Sequence, residues 1–126
     1  MLEVTAKNET GFFYDKLILE DGVEFIGIIN KNGRIEHALG KEDLDLTTQK
    51  KEMYLMGLAL QSSMQSDYDN EFGPASYTMT ERKNSKFVSI PSFPNIILVI
   101  MKKSIDHTVV INKIKIAIKN FVNVIT

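Results

Sequence analysis

Two histidines, an acidic run, a basic tip and eight scattered serines are the residues of this 126-residue chain that could do chemistry. His37 and His107 fall in different elements, with no His-x-x-His or His-x-x-x-His spacing to seed a metal site. Asp67, Asp69, Asn70 and Glu71 offer the hard oxygens that calcium prefers. Phe72-Gly73-Pro74 then interrupts the run, where a calcium loop needs ligands at alternate positions, a glycine at the sixth and an acid at the twelfth. No Gly-x-Gly-x-x-Gly or Gly-x-x-x-x-Gly-Lys-Ser/Thr phosphate loop is present, and no Gly-x-Ser-x-Gly or Ser-x-x-Lys surrounds any serine. The absence of cysteine removes disulfides, thiolate-bound zinc and a thiol nucleophile. Arg82, Lys83 and Lys86 form a basic tip, but no aromatic platform is interleaved with them, so specific nucleic-acid binding is not expected. The expectation is a binding module with no catalytic residue, metal or cofactor.

The elements that would carry these residues read as one domain over residues 1–126. The chain is 44% apolar and 25% charged with a net charge of −1, ordinary for a globular protein and without a field that draws nucleic acid or anionic membrane. The longest apolar run, Ile96 to Met101, is far short of the roughly 20 residues of a membrane span. The first residues lack the apolar core of a secretory signal, so a soluble cytoplasmic protein with no membrane partner is expected.

Phe12, Phe13, Leu17 and Ile18 fit a short helix that stops at Asp21-Gly22. Val23–Ile29 and Arg34–Gly40 read as a hairpin turned at Asn32-Gly33, with Ile28 opposite His37 and Ile26 opposite Leu39. That register puts Ile26, Ile28, Ile35, His37 and Leu39 on one face and Phe25, Gly27, Ile29 and Ala38 on the other. A second helix covers Gln49–Ser66. A polar turn ends at Gly73-Pro74, and strands follow at Ala75–Glu81, Lys86–Ile90 and Ile96–Met101. The last strand is apolar throughout and suits a sheet centre. Ser104 is the expected cap of a final helix whose inner face carries Val110, Ile114, Ala117, Ile118, Phe121 and Ile125, with Ile116 off that face.

The second helix is apolar on two sides. Met53, Met56, Gly57, Leu60 and Met64 form one narrow stripe, expected to pack on the sheet, which leaves Tyr54, Leu55, Leu58 and Ala59 for a partner. On that assignment Leu55→Glu and Leu58→Glu give a folded monomer and Leu60→Glu unfolds the domain. The opposite assignment stays open, because methionine suits an adaptable contact surface. If Ala75–Glu81 is an edge strand, Tyr77 and Met79 join the interface, since that segment has one charge and no internal proline to discourage strand pairing.

The order α-β-β-α-β-β-β-α, with Gly27-Ile28-Ile29-Asn30-Lys31-Asn32-Gly33-Arg34-Ile35 in the first hairpin, resembles the roadblock/dynein light chain family of the profilin-like and longin-like group. The stretch Phe72 to Lys83 also looks like an archaeal family of similar size with no established activity. The roadblock resemblance implies an α+β fold with a five-stranded antiparallel sheet and helices on both faces. It also implies a non-enzymatic homodimeric scaffold, paired through edge strands and second helices, that engages a small Ras-like GTPase or another protein. The acidic segment Asp67 to Glu71 and the charged tip depart from the family pattern. A PAS-like small-molecule sensor is the alternative, and it requires an enclosed pocket of about 300 Å³ or more.

Overall fold

The computed structural model of this chain describes residues 22–41 and 43–125, with side chains described up to residue 118. The first expected helix lies outside the described residues, as do the side chains of Phe121 and Ile125.

Strand β5 (Asn95–Lys102) organises the rest. It lies at the centre of a five-stranded antiparallel sheet, between β1 (Val23–Ile29) and β4 (Ser85–Ser92), with β2 (Ile35–Gly40) and β3 (Thr78–Glu81) at the two edges. All six residues from Ile96 to Met101 are buried, because both faces of the strand are covered. Ile97, Val99 and Met101 meet Val23, Ile26, Val88 and Ile90 under the C-terminal helix. Ile96, Leu98 and Ile100 meet Phe25 and Ile29 under the long middle helix. A helix-covered strand needs no polar alternation, which is why its sequence reads as one apolar block.

The middle helix, α1 (Thr48–Ser66), begins where the Thr47 hydroxyl accepts the Lys50 N–H at 3.3 Å. After it, Asp69–Phe72 form one short helix, α2, in a segment expected to be a turn. The C-terminal helix, α3 (His107–Ile125), is capped by Asp106 rather than Ser104. The Asp106 carboxylate accepts the Thr108 N–H at 3.0 Å and its hydroxyl at 2.6 Å. Those bonds from Thr108 hold the carboxyl below the usual aspartate range. Ser104 is displaced because Ile105 first closes a turn onto the Lys102 carbonyl. Val110 and Ile114 are buried on α3 as expected and Ile116 is exposed, while Ile111 joins the buried face as well.

The first hairpin keeps the expected pairs Ile28 with His37 and Ile26 with Leu39, but its turn differs. Asn30 accepts the Gly33 N–H at 2.9 Å and pairs back to Arg34, so the loop has three residues and not two. Of those three, Gly33 alone has positive φ, at 78°. The Asn30 side chain stabilises the loop by accepting the N–H groups of Asn32 and Arg34. The longer loop produces a bulge in which Ile29 faces Ile35. The bulge moves Ile35 to the face of Phe25 and Ile29, opposite to the side that a two-residue turn predicts. The tip then reaches α1: a Cβ on Gly33 would stand 2.8 Å from the Met56 Cα.

Among the described residues no helix is long and apolar enough to cross a membrane.

Candidate interaction surface

Helix α1 lies on the sheet by the face opposite to the expected one. Leu55 and Ala59 are 3% and 7% exposed and pack with Phe25, Ile29, Ile96, Leu98 and Ile100, flanked by half-buried Tyr54 and Leu58. Met53, Met56, Leu60 and Met64 stand outside at 58–67% exposure. The assignment of Tyr54, Leu55, Leu58 and Ala59 to a partner is therefore corrected: in the isolated chain they belong to the core. The reason is the floor beneath the helix: the bulky side chains of Phe25, Leu98 and Ile100 receive Leu55 and Ala59, and the hairpin tip at Gly33 comes up against the backbone of Leu55 and Met56.

The exposed stripe borders the β3 edge. Met53, Gly57 and Gln61 of α1 form one wall of a groove of about 300 Å³, and Thr78, Thr80 and Arg82 form the other, with Phe87 in its floor. Gln65 and Thr78 are within hydrogen-bond distance at 3.2 Å, tying helix to strand at one end. Arg82 lies over the Phe87 ring at 5.9 Å, and Tyr54 meets the same ring edge-on at 6.1 Å. Gly57 has nothing within 4 Å of where its Cβ would be, so the middle of the stripe is open to close approach. A second groove, about 510 Å³, lies between the end of α1 and the Phe93-Pro94 turn. Both are open surface grooves and not the enclosed pocket that a sensor would need.

Burial raises the Tyr54 phenol above its ordinary pKa, with a smaller opposing pull from Arg82. A folded pKa above the unfolded one stabilises the protein fully below the unfolded value. That contribution is lost as pH rises through the folded value. Ultraviolet titration is expected to show a late phenolate component that Tyr54→Phe removes, together with part of the alkaline loss of stability. A late component unchanged by Tyr54→Phe would contradict this.

The other singled-out residues disperse. Tyr77 turns toward His107, with ring centroids 5.8 Å apart, and Met79 packs half-buried on the α3 face. His37 is exposed on edge strand β2. Lys86 leaves the basic tip: its Nζ donates to the Ile105 carbonyl at 2.8 Å and sits 3.4 Å from the His107 ring. Among the described residues no three His, Asp or Glu side chains come together as a metal site would require. Tyr68, which precedes the short α2, stacks with Phe72 at its end, ring centroids 5.7 Å apart; the sequence assigns neither a role, yet both are exposed.

No protein-family model matches the chain, and no curated protein sequence matches it. Solved structures do. A Roadblock/LC7 domain from Streptomyces avermitilis aligns with a TM-score of 0.68 at 10% identity, over 86% of this chain and 91% of that one. Myxococcus xanthus MglB aligns with a TM-score of 0.67 at 14% identity, over 83% and 85%. The gliding protein MglB from Thermus thermophilus aligns with a TM-score of 0.69 at 7% identity, over 89% and 84%. A further MglB structure, TM-score 0.65 at 6% identity over 94% and 85%, is of a tetrameric arrangement. With its strand order, its helix on each face and these likenesses, the chain has the roadblock-like fold.

Proposed function

We propose that this chain is a non-enzymatic interaction and regulatory module that works as a homodimer. It pairs β3 with β3 of a second copy and lays the two α1 helices against each other by their methionine stripes. One observation carries the reading: an unprotected sheet edge and an exposed apolar helix face border the same groove. The Arg82 N–H bonds the Ser85 carbonyl, so by antiparallel alternation Thr80 and Thr78 bond inward to β4. Met79 and Glu81 then turn their N–H and C=O groups outward, free for another strand. The other edge, β2, is interrupted by the bulge at Ile35 and carries Glu36 and His37, both of which discourage pairing. Tyr77 and Met79 enter the interface through the β3 backbone. On α1 the contact residues become Met53, Met56, Leu60 and Met64 in place of Tyr54, Leu55, Leu58 and Ala59.

The paired module presents a surface to a protein partner, and a small Ras-like GTPase is the class we propose. The likeness to roadblock folds supports that choice. Light scattering behind size-exclusion chromatography tests the dimer. Twice the chain mass is expected at about 100 µM, and a single-chain mass there would contradict the reading.

A further inference from the structure

We infer that the basic tip Arg82-Lys83 of one copy seats against the acidic turn Asp69–Glu71 of the other, so that charge selects a second copy of this chain as the partner. The inference rests on the dimer reading and goes beyond it, because edge pairing and a methionine stripe would accept many strands and helices.

The register follows from the outward groups on β3. The same alternation turns Tyr77 outward, and a two-fold axis through Met79 is the antiparallel arrangement that pairs all three outward residues: Met79 faces the partner's Met79, and Tyr77 faces the partner's Glu81. Extending that register sets the partner's Arg82 opposite Ser76 and the partner's Lys83 opposite Ala75. From Ala75 back to Glu71 is a span of at most about 14 Å if extended. Gly73, at a φ of 82°, bends the chain between them, and α2 shortens it further. The faces agree as well. Arg82 leans over Phe87 on the α1 side of the sheet, and α2 follows directly from the end of α1.

Three of the four charges face solvent. Arg82, Lys83 and Glu71 are exposed and Asp69 is half-buried. Among the described residues the ion pair formed within one copy is Lys41 with Asp45, which involves none of these four. Each copy contributes one basic tip and one acidic turn, so the two-fold axis makes the contact twice. With a net charge of −1 on each copy, the overall repulsion between two copies is small.

Two charge-reversed full-length chains test it. One carries R82E and K83E and is acidic at both places; the other carries D69K and E71K and is basic at both. Like charges set against each other cost more than opposite ones gain, so each variant alone is expected to self-associate at least about tenfold more weakly than wild type. An equimolar mixture restores both contacts and is expected to form the heterodimer, which also shows that both variants are folded. If wild type dimerises and each variant does so equally well, with no preference for the mixed species, the charge contact is overturned while the dimer stands. A monomeric wild type overturns the dimer reading and this inference with it.

Discussion

Leu55→Glu is expected to abolish folding, whereas Leu60→Glu, further along the same helix, leaves a folded protein that loses only the stability that self-association adds. Leu55 is 3% exposed between Phe25, Ile29 and the inner residues of β5, with no polar partner for a carboxylate. An unpaired charge there, added to the lost apolar burial, costs more than about 4 kcal/mol, a large part of the stability of a small domain. Leu60 is 62% exposed on the outer stripe, so a carboxylate there stays in water. Its cost falls on the contact with a second copy. Urea unfolding followed by circular dichroism separates the two, and equal loss in both variants would contradict the orientation of α1.

Gly33→Val is expected to cost about 3 kcal/mol, from two sources that can be separated. The positive φ of Gly33 alone penalises a β-branched residue by about 1–2 kcal/mol. The backbone of Leu55 and Met56 adds the rest, since any Cβ at this position meets it at 2.8–3.0 Å. Asparagine tolerates the left-handed region, so at a free hairpin tip Gly33→Asn would be nearly neutral. Here it too is expected to destabilise, because the hairpin tip is wedged against α1. Thermal unfolding of both variants checks this, and a neutral Gly33→Asn would show that the tip does not bear on the helix.

The sheet was legible in the sequence because its signals are local. The apolar block at Ile96–Met101 marks the central strand, and the pairs Ile26 with Leu39 and Ile28 with His37 follow from where the turn must lie. The turn differs from the expected one by a single residue. Asn32-Gly33 fits a two-residue loop, but the side chain and carbonyl of Asn30 favour a three-residue loop with Gly33 alone left-handed. That one residue sends Ile35 to the other face. The contact face of α1 is opposite to the expected one for a different reason. Its two stripes are similarly apolar, and a helix pattern reports amphipathicity only when one side is clearly polar. What decides the matter is nonlocal: the bulky floor of Phe25, Leu98 and Ile100 accepts Leu55 and Ala59, and Gly33 comes up under Leu55 and Met56. The candidate surface was thus visible as a set of residues but not as an inside and an outside. Asp106 displaced Ser104 as a helix cap in the same way, through a turn at Lys102–Ile105 that the spacing of polar residues does not reveal.

The central claim is that β3 pairs with its own copy, and amide hydrogen exchange at Met79 and Glu81 tests it most directly. Their N–H groups have no partner within one copy by the alternation of the β3–β4 ladder. At concentrations where light scattering gives a dimer, both amides are expected to be protected, and to lose that protection on dilution and in Leu60→Glu, while the inward-bonded amide of Thr80 stays protected throughout. Fast exchange at Met79 and Glu81 in a demonstrated dimer would contradict the claim and place the interface elsewhere.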